Sequence, residues 1–313
     1  MEKKFTQMVA AYSKAVEEYC KELGWDYYKF KSSISDEGIS HPDLYLEDPN
    51  EGIVERLSQF LEPTNQSSIV IIWDDVGMGK SSLRDFVSRS LEEIPTYFTI
   101  LITDPRVTAF QMLKIIAKEL DINPIPNARL ELKNTLRMRL IELADKGLTT
   151  IVWVDEAEKI TKDIISELRA VSDVKTASGI KTCKIVLSGT PTLIKKIEKY
   201  IEKDPEDAAA FDDRTSLNVF KLNRWTAENI YNYWKLLADY CGGANPFEDG
   251  CAEAVLELSD GKPRTIAQIT KIAIHKKAIK NFFEVSLEGG KIKREDILEA
   301  MKDYVKDIAA EES

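Results

Sequence analysis

The chain predicts an α/β fold in which a parallel sheet sandwiched by helices is followed by a small all-helical unit. Three observations carry that prediction. Between residues 51 and 222, short β-branched or aromatic runs alternate with longer helical patterns, as strands joined by crossover helices do. The first buried run, Ile69-Val-Ile-Ile-Trp73, passes through a glycine-containing loop straight into a helical pattern. From Thr226 onward the strand signal stops, and helical patterns punctuated by Gly242-Gly243 and Gly289-Gly290 take over.

The elements follow in order. Phe5, Met8, Val9, Tyr12, Val16 and Tyr19 recur at helical spacing and predict an amphipathic helix over 4–22. Residues 31–50, rich in Ser, Asp, Gly and Pro, predict a loop. Glu51–Leu61 predicts a short helix with Ile53 and Leu57 inward. Ile69–Trp73 is a buried strand, Ser81–Leu91 a helix, Thr96–Ile102 a strand rich in β-branched and aromatic residues, and Ala109–Leu120 a helix. Pro124 and Pro126 break the next stretch. Leu130–Lys146 is a long helix stopped by Gly147, and Thr149–Val154 is a strand. Lys162–Val171 is a helix, Lys184–Leu187 a strand, Thr192–Tyr200 a helix and Leu217–Leu222 a last strand. Helices over Thr226–Tyr240, Phe247–Ser259, Pro263–Asn281 and Arg294–Ile308 complete the chain. These elements divide it into an N-terminal helix and loop (1–45), a core (46–222) and a helical domain (223–313).

Composition narrows the function classes. At 313 residues, with 43% hydrophobic and 31% charged residues, the chain has the make-up of a soluble globular protein large enough for two domains. Its longest apolar runs are about five residues, too short to span a bilayer. The start, Met-Glu-Lys-Lys-Phe-Thr, lacks the apolar stretch of a secretory signal. Cys20, Cys183, Cys241 and Cys251 are scattered without a Cys-x-x-Cys pair, which argues against a disulfide framework or a zinc site and for a reducing cytoplasm. His41 and His275 are expected as surface or capping residues. A net charge of −10 is unlike that of a DNA-coating protein. The charge is uneven, however. Residues 262–294 hold nine bases against two acids, Glu284 and Glu288. Lys276, Lys277 and Lys280 share a helix face there, either as a solvated surface or as a contact for DNA phosphates.

The chemistry starts at Asp74-Asp-Val-Gly-Met-Gly-Lys-Ser-Ser82. Strand, glycine loop and helix in that order form a P-loop. The backbone N–H groups of Val76, Gly77, Met78, Gly79, Lys80, Ser81 and Ser82 and the positive end of the helix dipole converge on a phosphate. Lys80 would reach the β/γ-phosphates, and Ser81 would place its hydroxyl on Mg²⁺. One residue departs from the pattern: Asp74 stands where a fifth residue before Gly79 should be glycine.

A second motif, Thr149-Thr-Ile-Val-Trp-Val-Asp-Glu-Ala-Glu158, delivers Asp155 and Glu156 at the carboxyl end of a strand, where parallel sheets bind ligands. Asp155 would share Mg²⁺ with Ser81. Glu156 would polarise the attacking water, and Glu158 is expected to be structural. In Lys184-Ile-Val-Leu-Ser-Gly-Thr-Pro191, Ser188 or Thr190 would hydrogen-bond the γ-phosphate or that water. Arg214 suits either transition-state stabilisation in a neighbouring subunit or a surface pair with Asp212 and Asp213. In Ser259-Asp-Gly-Lys-Pro-Arg264, Pro263 suits a first helical turn, which puts Arg264 where it could report on the phosphates.

Taken together, the motifs resemble those of the AAA+ ATPases. Val154-Asp-Glu-Ala-Glu-Lys-Ile160 with Ser166-Glu-Leu-Arg169, Leu187-Ser-Gly-Thr-Pro-Thr-Leu193 and Gly261-Lys-Pro-Arg264 are similar to the group containing the ExeA, TniB and MuB ATPases and the archaeal origin-recognition initiators. The resemblance covers roughly residues 45–307. It implies a P-loop NTPase core with a helical lid, and it implies ATP and Mg²⁺ as cofactors. Lys80 and Ser81 match Walker A, Asp155 and Glu156 Walker B, Thr190 sensor 1, Arg214 the arginine finger and Arg264 sensor 2. The activity implied is ATP hydrolysis coupled to self-association through the nucleotide interface and to binding of DNA or a protein partner, as in transposition, replication or mobile elements. Two alternatives stand beside it: a STAND-type switch with slow turnover, and a DNA-binding adaptor with a decayed P-loop.

Overall fold

In the computed structural model, residues 2–35, 38–39, 41–203, 218–283 and 290–311 are described. They fall into two compact units. One comprises the described residues within 50–76 and 83–222; the other comprises those within 1–49, 77–82 and 223–313.

The first unit is built on a five-stranded sheet. Its strands are β3 (Ile69–Trp73), β4 (Tyr97–Ile102), β5 (Thr149–Val154), β6 (Cys183–Gly189) and β7 (Val219–Lys221), in the order β4-β5-β6-β3-β7. Every pairing is parallel. All six residues of β5 and all seven of β6 are buried, as a sheet covered on both faces requires. Around it lie α3 (Glu51–Leu61), α4 (Lys80–Glu92, which belongs to this unit from Leu83 onward), α5 (Ala109–Glu119), α6 (Arg129–Asp145), α7 (Lys162–Ser172) and α8 (Pro191–Lys203). A capping box at Thr108 and Gln111 starts α5, and the Thr161 hydroxyl caps α7. Met112, Leu113 and Ile116 of α5 enter the same core as Val152, Val154, Ile185 and Leu187 of the sheet. The register sets Trp73 beside Gly189 and Val154 beside Leu187, so the carboxyl ends of β3, β5 and β6 come out level.

The second unit contains α1 (Glu2–Glu22), α2 (Tyr27–Ser33), the small antiparallel pair β1 (Ile34–Ser35) and β2 (Gly38–Ile39), α9 (Ala227–Cys241), α10 (Cys251–Ser259), α11 (Pro263–Phe283) and α12 (Arg294–Glu311). Two tryptophans organise it. Trp234 stacks on Phe247 at 3.9 Å between centroids and donates its Nε1–H to Thr270 Oγ1. Trp25 donates to the Ala244 carbonyl, while the Asp26 N–H reaches the Cys241 carbonyl. The N-terminal segment, set apart at 1–45 by the sequence, therefore packs with the C-terminal helices.

Several elements differ from the sequence prediction. The stretch expected as loop holds the end of α2, β1, β2 and two turns of 3-10 helix. Asp26 nucleates α2 by accepting from the Tyr28 and Lys29 N–H groups. The helix predicted from Phe247 begins at Cys251, because Phe247 bridges to Ile292. His41 does cap, its Nδ1 accepting from the Asp43 N–H. His275, expected at the surface or as a cap, is half-buried on α11. No described helix is long and apolar enough to cross a membrane.

All four cysteines are buried and unpaired with one another. Burial pushes the thiols of Cys20, Cys183 and Cys241 up to about 12 and that of Cys251 to about 11. The folded chain thus keeps protons that the unfolded chain loses. The contribution is full below the ordinary thiol value and is lost as pH rises through the folded values. Native protein at pH 8 is expected to react slowly with a thiol-specific disulfide reagent, releasing its full thiol count only in denaturant. Rapid labelling of native protein would contradict this burial.

Candidate nucleotide site

The loop after β3 turns on two glycines. Gly77 has φ +86° and Gly79 φ +90°, a region that side-chain-bearing residues rarely adopt. A Cβ on Gly79 would meet no atom within 4 Å, so the backbone there is open to an approaching group. A Cβ on Gly77 would lie 3.0 Å from the Arg264 Cβ. Lys80 is the first residue of α4, followed by Ser81 and Ser82. These residues fit a polyphosphate: N–H donors at a helix start, a lysine and a hydroxyl.

Asp74 is nine-tenths buried and more, at 3% exposure. Its Oδ1 accepts from the Asp75 N–H at 2.7 Å, and its own N–H donates to the Gly189 carbonyl. The described non-glycine residues with left-handed φ are Asp121, Glu156 and Asp260. The loop entrance therefore does not use the backbone freedom that glycine would supply at position 74.

At the end of β5, Asp155 is engaged at both oxygens. Oδ1 accepts from the Ser188 hydroxyl at 2.8 Å and from the Glu156 N–H at 3.0 Å. Oδ2 accepts from Arg84 Nη1 at 2.6 Å. Ser188 in turn accepts from Trp153 Nε1 at 2.9 Å. The two candidates in the β6 motif thus separate. Ser188 is fully buried and committed to Asp155, whereas Thr190 sits at the start of α8, its N–H donating to Glu158 Oε2. Glu158 ties that helix down, and Lys196 donates to the Glu158 and Ile160 carbonyls.

Glu156 has φ 49° and ψ 37°. A left-handed conformation in a residue with a side chain costs about 1 kcal/mol. Its carboxylate is half-exposed and pairs with Lys159. Arg264 occupies the second position of α11, and its N–H donates to the Gly77 carbonyl at 3.1 Å. Arg214 lies outside the described residues. Of the basic stretch, Lys277 pairs with Asp296, Lys280 with Glu299 and Arg294 with Glu257.

Arg84 was not legible as a site residue. Its guanidinium bridges Asp155 and Asp85 with a side chain only 14% exposed. The sequence signal was position alone, one helical turn after Lys80. Arg84→Ala would leave a buried carboxylate without its cation, and is expected to cost about 3 kcal/mol. Urea unfolding measures this; a loss within error of zero would mean that the pair holds nothing.

Residues 64–197 match the family model described as an AAA domain. That match takes in less than half of the chain. The parallel sheet and flanking helices of the chain match the AAA+ P-loop fold of the solved structures it resembles. By structure it is similar to Cdc6p from Pyrobaculum aerophilum, with a TM-score of 0.57 and 17% identity over 83% of this chain and 67% of that one. It is also similar to the Aeropyrum pernix ORC2 protein in its ADPNP–ADP complexes, with a TM-score of 0.54 and 14% identity over 80% and 67% of the two chains. By sequence it is 28% identical over 153 residues to the general secretion pathway protein A of Aeromonas hydrophila. That match takes in 48% of this chain and 27% of the relative's length.

Proposed function

We propose that this chain is an AAA+ ATPase that binds ATP at Val76–Ser82 and hydrolyses it with Mg²⁺. The observation that carries the reading is the loop itself: left-handed Gly77 and Gly79, open at Gly79, leading into a helix whose first residue is Lys80. In this reading the loop N–H groups and Lys80 hold the β- and γ-phosphates. Ser81 and Asp155 would hold Mg²⁺, which supplies neutralisation of phosphate charge when bound. Asp155 is kept in place by Ser188 and Arg84. Glu156 takes the proton of the attacking water. Thr190 is assigned to the γ-phosphate, and Arg264, whose backbone meets Gly77, to sensing the nucleotide. The nucleotides named for the ORC2 relative agree with this class of ligand.

The output of such a cycle is a change of assembly or of affinity for DNA or a protein partner, with the stretch 262–294 as the DNA-facing candidate. The test is titration calorimetry of ATP with and without Mg²⁺, followed by phosphate release. No heat and no turnover would remove the reading. If Arg214 acts on a neighbouring subunit, specific activity is expected to rise with protein concentration, and to stay flat and low in Arg214→Ala. A flat profile in the parent protein would reduce Arg214 to a surface pair.

A further inference from the structure

Arg264 has glycine beside it on two elements. A Cβ on Gly77 of the phosphate loop would stand 3.0 Å from the Arg264 Cβ and 3.5 Å from its Cδ. A Cβ on Gly38 of β2 would stand 3.3 Å from the Arg264 Cα and 3.5 Å from its Cβ and its Cγ. Carbon atoms rest at about 3.5–4.0 Å, so the aliphatic stem of Arg264 runs where a side chain on either glycine would crowd it. Both glycines also have positive φ, +114° at Gly38 and +86° at Gly77. Each position thus disfavours a side chain twice, by conformation and by space. Gly38, Gly77 and Arg264 all belong to the helical unit.

The hairpin that carries Gly38 has its own anchor. Its two strands pair Ile34 with Ile39 and Ser35 with Gly38. Ile34 is buried in one core with Phe30 and with Ile266 of α11, and the partly buried Ile39 packs against that core. The first turn of α11 is therefore held by two parts of the chain. The phosphate loop holds it through the Gly77 carbonyl, which accepts from the Arg264 N–H at 3.1 Å, and β2 holds it through the close approach of Gly38. An arginine loses much rotamer freedom when it is fixed, and a stem already confined has less left to lose. We propose, on the reading that Arg264 senses the nucleotide, that the N-terminal hairpin positions Arg264 through Gly38. Two short strands far from the phosphate loop in sequence then set how well ATP is told from ADP.

Calorimetry of ATP and of ADP on the full chain tests this. Gly38→Ala crowds the Arg264 stem, and Ile39→Ala loosens the hairpin without touching Gly38. Each is expected to lower ATP affinity about tenfold and to leave ADP affinity within about twofold. Gly250 has φ +83°, and a Cβ there would meet no atom within 4 Å. Gly250→Ala therefore brings the backbone strain without the contact, and is expected to change neither affinity. In nucleotide-free protein, Gly38→Ala is expected to speed hydrogen exchange of the Arg264 N–H about tenfold, as its bond to Gly77 loosens. Arg264→Ala is expected to lower ATP affinity as far as Gly38→Ala does, and Gly38→Ala to add nothing in that background. ATP affinity lowered by Arg264→Ala but unmoved by Gly38→Ala and Ile39→Ala would overturn the proposal and leave the sensing role standing. A further loss when Gly38→Ala is added to Arg264→Ala would overturn it too, since Gly38 would then act by another route. ATP affinity unchanged in Arg264→Ala would remove the sensing role, and the positioning role with it.

Discussion

Lys80→Ala is expected to weaken ATP binding about 100-fold or more while the chain stays folded. The ammonium is assigned to the β- and γ-phosphates, and a hydrogen bond to a charged group contributes about 1.5–3 kcal/mol, with the long-range attraction added. The fold is expected to tolerate the change. Lys80 is the first residue of α4 and only partly buried, and alanine is the best helix former. A loss of affinity therefore reads the site and not the scaffold. Calorimetry with ATP and Mg²⁺, with circular dichroism as the control, decides it. Affinity equal to the parent's would detach Lys80 from the phosphates, and with it the assignment of the whole loop.

The sheet and the loop of the candidate site were legible where local pattern and burial agree. The runs Ile69–Trp73 and Thr149–Val154 are apolar throughout because both faces of their strands are covered, and they were placed as they stand in the structure. The order of loop and helix after β3 followed from Gly77, Gly79 and Lys80 alone. Short elements were less visible. Helix α2 spans Tyr27–Ser33, too few residues for a period to emerge, and β1 and β2 are two residues each. What they share is tertiary support: Trp25, Phe30 and Ile34 are buried in the same core as Trp234 and Ile274. Arg84 was invisible for a different reason. Its partner Asp155 is 71 residues away, and no local pattern on α4 distinguishes a guanidinium that crosses to a strand end from one that faces water. Asp74 is the opposite case. The motif asks for glycine there, but Asp74 is not among the residues with left-handed φ, so the turn does not draw on the freedom that glycine would supply.

Glu156→Gln is expected to hold nucleotide as the parent does and to lower turnover by about 10²–10⁴-fold. The two side chains are nearly the same in shape, so the left-handed backbone at this position and the Asp155 hydrogen bond to the Glu156 N–H stay as they are. What is lost is the capacity to accept a proton. The Glu156 pair with Lys159 also goes, but both side chains are partly exposed, and such pairs contribute little to stability. The residue pays a conformational cost to end β5 as it does, in the sense that a carboxylate is kept there on a strained backbone where asparagine or glycine would be easier. A chemical step at that carboxylate gives the strain a use; a purely structural carboxylate gives it none. Single-turnover phosphate release measured beside nucleotide affinity separates the two. Turnover at the parent rate in Glu156→Gln would mean that the water is activated elsewhere. Affinity and turnover falling together would mean that Glu156 shapes the pocket and takes no proton.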